Sequence, residues 1–299
     1  MDTLESLRQK LDGAQEIKSV VRTMKAVAAS NIGQYELAVS SLGDYFRTIA
    51  LGIFAYFRQE NNKSLYQQNE TEHKEDKLNY AIVFGSDQGL VGQFNDSLTD
   101  FVSKSLKDVP GKIEIWAIGE RIQLLLEDMG YNTSKLFSVP NSVNAITPLV
   151  QEILVKAEEH FNQGNTNDVY IFHNQPKSGS GYEAVVQRLL PLDAKWKQSL
   201  TILKWPTNEI PEVIGGTQPT LLALIHAYLF TSLFKACAES LNSENASRLA
   251  SMQRAEKNIE DLLDDISRKF NSMRQSSIDE ELFDVVTGFE ALKVDKKKN

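Results

Sequence analysis

The chain has 299 residues, 41% hydrophobic and 24% charged, with 32 basic against 40 acidic side chains and a net charge of −8. That is the composition of a folded protein rather than a disordered one, and the acidic balance argues against general nucleic-acid binding, which needs a basic surface to neutralise phosphate. Cys237 is the single cysteine, so no internal disulfide or cysteine zinc cluster can form.

The two ends read as long helices. Proline is absent from Met1 to Val109 and again from Thr220 to Asn299, so nothing obliges either terminal segment to stop. Met1-Asp2-Thr3-Leu4-Glu5 opens with acids rather than the apolar run of a signal peptide. Apolar residues at Leu4, Leu7, Leu11, Ala14, Ile17, Val21, Met24, Ala28, Ile32 and Tyr35 follow in steps of three and four, the spacing of a helix with one sticky face. This helix fills residues 1–58, with Gly13, Gly33, Gly43 and Gly52 as points of weakness that cost up to ~1 kcal/mol each. Residues 59–77 turn polar and charged and read as a linker.

Residues 78–205 alternate strand and helix signals. Tyr80–Phe84 is a short buried strand, followed by a Gly85–Gly92 loop and a helix through Lys107. Lys112–Ile118 is a second strand, followed by a helix over Glu120–Met129 and a longer one over Asn144–Phe161. Strands follow at Asp168–His173 and Glu183–Leu192. Strands separated by helices predict an α/β unit with a largely parallel sheet and an antiparallel edge from the later strands. Gly179-Ser180-Gly181 reads as the hairpin loop between the last two.

After a second linker at 206–218, residues 219–299 begin with Pro219 in the first helical turn. The apolar run Leu221–Phe230 is about half of what a membrane span needs. Ile259, Leu263, Ile266, Phe270 and Met273 then form a heptad seam with a charged opposite face. Gly288 is the expected stop. A helix from Thr220 to Thr287 would be on the order of 100 Å long, against a radius of gyration of ~19 Å for a compact chain of this size. It must therefore project, and its stripe needs a partner. The fold expected is α/β: a long antiparallel coiled coil of the terminal helices with a central Rossmann-like domain.

Catalytic patterns are missing. Gly85–Gly92 lacks the P-loop lysine and does not match G-x-G-x-x-G. His73, His160, His173 and His226 are scattered singly, without an H-E-x-x-H pair. Asp264-Asp265 and Glu280-Glu281 are adjacent on helices and read as solvated faces. We expect no cofactor, no metal and no catalytic residue. An inserted α/β module on a standalone coiled-coil scaffold is the alternative. A doubly wound small-molecule enzyme would need polar groups converging at the sheet's C-terminal edge, where only Asp87 stands.

Three stretches, in order, resemble the gamma subunit of F-type rotary ATP synthases. They are Arg22-Thr23-Met24-Lys25-Ala26-Val27-Ala28-Ala29-Ser30, then Ser86-Asp87-Gln88-Gly89-Leu90-Val91-Gly92-Gln93-Phe94-Asn95, then Ala238–Leu249 continued by Arg274-Gln275-Ser276-Ser277-Ile278-Asp279-Glu280-Glu281-Leu282. Asp279 stands where the family usually has threonine, and Leu249 replaces methionine. The opening residues look like the alternate, sodium-translocating branch. The resemblance implies a central rotor stalk with no catalytic site of its own, coupling ion translocation to ATP synthesis or hydrolysis. Its implied partners are the alpha and beta subunits of the head, epsilon and the c-subunit ring, with no nucleic acid and only indirect membrane contact. Its implied place is the cytoplasmic face of the cell membrane. Carried over by motif, Met24 and Lys25 would face the lever of beta, Arg248 would support the coupling region, and Arg274 and Gln275 would contact a beta loop.

Overall fold

The structure, a computed structural model, describes residues 3–59, 78–162, 166–177, 181–192, 205, 207, 209 and 217–295. Residues 60–77 of the expected linker at 59–77, most of that at 206–218, and Gly179 and Ser180 of the hairpin loop lie outside the described residues. The chain divides into two compact units, one of Met1–Val27 with Ala250–Asn299 and one of Ala28–Leu249. Helices α1 (Leu4–Gln59) and α5 (Thr217–Asp295) each contribute to both.

In the first unit, α1 buries Leu7, Ala14 and Val21, and α5 buries Met252 and Ile266. Arg22 Nε lies 2.7 Å from Glu256 Oε1 and Lys18 Nζ 2.9 Å from Glu260 Oε1, so one helix descends as the other rises. The pairing is antiparallel, as expected. The buried stripe of α1 is stricter than the one read from sequence: Ile17 is 57% exposed and Met24 only half-buried, and the seam runs instead through Lys18 and Lys25. A seven-residue repeat admits only two positions per heptad, and Ile17 and Met24 each stand one residue ahead of them.

In the second unit α1 continues the same repeat, burying Ala28, Tyr35, Ile49 and Tyr56. Between the terminal helices come β1 (Leu78–Phe84), α2 (Phe94–Leu106), β2 (Lys112–Ile118), α3 (Glu120–Asp128), β3 (Thr133–Phe137), α4 (Val143–Asn162), β4 (Thr166–Pro176) and β5 (Tyr182–Leu190). The sheet order is β3-β2-β1-β4-β5, parallel except where β5 runs against β4. This is the doubly wound plan with an antiparallel edge. β3 is absent from the sequence reading because it is a five-residue edge strand of polar character, Thr-Ser-Lys-Leu-Phe.

Side chains of β1 alternate between two cores. Tyr80, Ile82 and Phe84 face a cluster with Ile146, Val150 and Ile153 of α4 and Leu233, Cys237 and Leu241 of α5. Ala81 and Val83 face Leu98 and Val102 of α2 and Ile122 and Leu126 of α3. The period of two puts alternate residues on opposite sheet faces, so β1 is apolar throughout. From Thr231 to Asn245 α5 is buried nearly all round, and α5 holds an 18-residue window of mean hydropathy 1.6, long and apolar enough to cross a membrane by composition alone. This exceeds the half-span read from Leu221–Phe230, but 56% of the window is buried inside the protein.

Gly288 does not end α5, which runs to Asp295. A glycine lowers helix propensity but keeps its N–H, so the hydrogen-bond ladder can pass through it as it cannot pass a proline.

Gly119, between β2 and α3, has φ +115 and its N–H donates to Phe137 O at 2.9 Å. An added Cβ there would lie 2.6 Å from the carbonyl carbon and oxygen of Ser86. Gly119→Ala should therefore cost about 2–4 kcal/mol, read as a fall in the thermal midpoint of the purified chain. A midpoint unchanged from wild type would contradict this packing.

Candidate functional site

Most of the family-like residues meet in the second unit, at the carboxyl ends of β1 and β4. The loop after β1 is closed on itself: Ser86 N–H donates to Asn95 Oδ1 at 3.0 Å, Asn95 Nδ2 donates to Ser86 Oγ at 2.7 Å, and Ser86 Oγ donates to Gln88 O at 2.8 Å. Ser86 and Asn95 are buried, whereas Leu90 at the tip is 64% exposed with φ +63. Asp87 does not point to a substrate. Its carboxylate accepts the N–H of Glu120 at 3.1 Å and that of Val139 at 3.1 Å, capping the start of α3 where free N–H groups and the helix dipole favour an anion.

Helix α5 lays a buried polar strip along this edge. Ser240 Oγ donates to Phe84 O at 2.9 Å, Ser243 Oγ to Asn174 O at 2.9 Å, and Ser247 Oγ to Val91 O at 2.5 Å. Steps of three and four keep these hydroxyls on one helix face. Their acceptors are carbonyls at strand ends and in the loop, which would otherwise be buried without partners. Asn174 Nδ2 in turn donates to Phe94 O at 3.0 Å, and His173 Nε2 lies 2.9 Å from Glu239 Oε2. The spacing in Ala238–Leu249 is thus a sheet-docking code. The pairing of His173 with Glu239 had no signal in the sequence, since their partnership depends on the fold.

Arg248 is the residue of this region expected to support coupling. Its Nη2 lies 2.6 Å from Glu244 Oε1, and its side chain is 15% exposed. Burial pushes the Glu244 carboxyl up from its ordinary value, Arg248 pulls it down, and Asp87 adds a smaller upward push.

The other expected site residues lie in the first unit. Met24 is half-buried on α1. Lys25 Nζ is bonded to Glu256 Oε2, whose other oxygen takes Arg22. Hydrogen bonds from Lys25 and Arg22 hold the Glu256 carboxyl down at about 2. Arg274 and Gln275 are exposed on α5. Along the helix Arg274 stands about 27 Å from Glu256, so the structure does not gather the five residues into one cluster. Lys25 serves the α1–α5 contact with Met24 half-buried beside it, Arg248 serves the strip, and Arg274 and Gln275 lie on an open surface. Beyond these, α5 exposes Ile278, Leu282, Phe283, Val285 and Val286, with Val285 71% exposed. Glu256 and Glu260 were missed from sequence. Their signal was a charged residue interrupting the seam between Met252 and Ile259, opposite Lys18 and Lys25, which continue the Leu4 and Leu11 positions.

Among the described residues no group of His, Cys, Asp and Glu could hold a metal ion.

A protein-family model described as ATP synthase matches residues 3–292. The chain is similar to the ATP synthase gamma chain of Clostridium acetobutylicum, 25% identical over 288 residues covering 96% of this chain and 97% of that one. It is 26% identical to that of Nautilia profundicola over 306 residues, 98% of this chain and 100% of the relative. With that of Clostridium perfringens it shares 27% over 305 residues, 97% and 98% of the two chains. Its fold resembles a chain in the rotor of the Euglena gracilis mitochondrial ATP synthase, with TM-score 0.61 and 18% identity over 92% of this chain and 98% of that one. A chain in the OSCP/F1/c-ring assembly of that enzyme gives TM-score 0.62 and 18% identity over 98% and 96%.

Removing the Arg248 guanidinium would leave Glu244 buried and uncompensated. Arg248→Ala should cost about 3 kcal/mol in denaturant unfolding, and adding Glu244→Gln should recover most of it. A loss below ~0.5 kcal/mol would show the pair to be solvated instead.

Proposed function

The chain belongs to the ATP synthase family, and we infer that it works there as the gamma subunit, the central rotor stalk of an F-type ATPase. The observation that carries this reading is the pairing of a 56-residue helix with an antiparallel partner of 79 residues, in a chain the family spans almost end to end.

Such a stalk turns inside a ring of alpha and beta subunits and sits on the c-subunit ring beside epsilon. It couples ion flow through the membrane sector to ATP synthesis or hydrolysis. It does so mechanically: an asymmetric surface presented to each beta subunit in turn makes one nucleotide-binding conformation more favourable than the others. The stalk reaches the membrane only through the complex, at its cytoplasmic face.

On this reading the chain needs no catalytic site of its own. In doubly wound sheets, ligands bind at the carboxyl edge where the strand order reverses. Here that edge, between β1 and β4, is filled by Phe94 and Asn95 and by the serines of α5. This occupancy supports the rotor over a nucleotide-binding enzyme.

Arg274 and Gln275 then make polar contacts to a loop of beta, their exposure leaving them free to do so. Met24 meets the beta lever with Lys25 held beside it by Glu256. Arg248 acts from inside, keeping the strip docked through Glu244. The exposed apolar residues Leu282, Phe283 and Val285 suit an end enclosed by an apolar sleeve.

In a complex reconstituted with alpha and beta subunits, Arg274→Ala should lower ATP turnover roughly tenfold, the effect of one lost charge-assisted contact, while assembly stays intact. Unchanged turnover would remove Arg274 from the coupling surface, and failure of the wild-type chain to assemble would remove the rotor reading.

A further inference from the structure

The seam of the first unit is apolar except at one place. Lys18 and Lys25 occupy the positions held by Leu4 and Leu11 earlier in α1, and Glu256 stands between Met252 and Ile259 in α5. These charges form a ladder. Lys18 Nζ lies 2.9 Å from Glu260 Oε1, Arg22 Nη2 lies 3.6 Å from the same oxygen, and Arg22 Nε lies 2.7 Å from Glu256 Oε1. Lys25 Nζ closes it on Glu256 Oε2. As α1 advances from 18 to 25, α5 runs back from 260 to 256. The Glu256 side chain is 14% exposed and that of Lys18 22%, whereas those of Lys25, Glu260 and Arg22 are 35%, 47% and 57% exposed, so the ladder runs from the seam out to its solvent-facing rim.

An apolar heptad seam is nearly indifferent to sliding by seven residues, because each apolar position is replaced by its equivalent. Met252, Ile259, Ile266 and Met273 exchange like for like, and so do Leu263 and Phe270. Charges are not indifferent. A slip of one heptad would set Leu263 opposite Lys25 and Ser267 opposite Lys18, leaving ammonium groups in the seam without anions. An uncompensated charge in an interface is costly, and polar groups at seam positions are the best-attested means of fixing coiled-coil register.

We propose that Glu256 and Glu260, with Lys18, Arg22 and Lys25, are the register pin of the terminal coil, selecting one alignment of α1 on α5 among those related by a heptad. Resting on the rotor reading, this makes Glu256 a positioning residue for coupling: it fixes which residues of α1 share a level with Arg274 and Gln275. Lys25 acts through Glu256 rather than only through a partner subunit.

The test is a distance. Spin labels at Gln15→Cys and Ser272→Cys, both exposed, are staggered along the first unit, and a one-heptad slip changes that stagger by about 10 Å. Cys237 is buried and stays unlabelled. The full chain is measured by pulsed EPR, alone and assembled with alpha and beta subunits. Wild type should give one distance. Glu256→Lys with Glu260→Lys should add a population displaced by about 10 Å, and inverting the whole ladder (adding Lys18→Glu, Arg22→Glu and Lys25→Glu) should restore the single native distance. If the lysine pair does not fold, Glu256→Gln with Glu260→Gln decides, a displaced population supporting the pin. A single native distance in the lysine or glutamine variants, or no restoration on inversion, overturns it. Assembly of wild type with alpha and beta is scored separately, so loss of the rotor reading would not be mistaken for loss of the pin.

Discussion

The structure depends on a seven-residue repeat of buried side chains in α1, kept from Leu7 to Tyr56 except at Leu42, which is only partly buried. Leu7, Ala14 and Val21 in one unit and Ala28, Tyr35, Ile49 and Tyr56 in the other lie on a single line of that helix, and each is nearly inaccessible. A strict seven-residue repeat has one use, to keep the same seam turned toward a companion helix over many turns. The companion is α5, whose character changes to suit what surrounds it. From Thr231 to Asn245 it is buried on most sides, and from Ala250 onward it buries only a stripe. A helix apolar all round belongs in a core, and one with a stripe belongs in a coil. One continuous element thus serves both environments.

The polar residues of α5 explain how it can lie deep in the second unit. A helix docked across strand ends covers carbonyls that have lost their ladder partners. Ser240, Ser243 and Ser247 donate to three of them, and Asn174 and Asn95 complete neighbouring bonds. Close packing fixes the other face of the sheet at Gly85, where a Cβ would lie 2.3 Å from that of Ile122 on α3. The family-like residues of Ser86–Asn95 and Ala238–Leu249 therefore hold the body of the stalk together rather than perform chemistry. For a coupling element this is the relevant property, because torque passes only through parts that do not slide.

Much of this was legible in the sequence. The helical ends, the second strand at Lys112–Ile118 and the antiparallel edge followed from periodicity and from the absence of proline. β3 was not legible, because a polar edge strand is set by its pairing with β2 and not by its own pattern. Gly288 misled, since a glycine permits a stop without requiring one. Ile17 and Met24 misled as well: steps of three and four fit several stripes, and only the charged pairs at Lys18 and Lys25 show which is used. Of the candidate site, Arg274 and Gln275 came from resemblance alone and are exposed on α5. Glu256 and His173 owe their roles to neighbours far away in sequence and close in space.

The central claim is that the two terminal helices turn as one shaft. It is tested most directly by watching ATP-driven rotation of a bead fixed to the second unit, in the complex assembled with alpha and beta subunits, with Val21→Cys and Ile259→Cys introduced to tie α1 to α5 in the first unit. If the helices move together, closing this disulfide leaves rotation as fast as with the thiols reduced. Rotation that stops when the tie forms and resumes when it is reduced would show that the helices must move past one another, and would contradict the account.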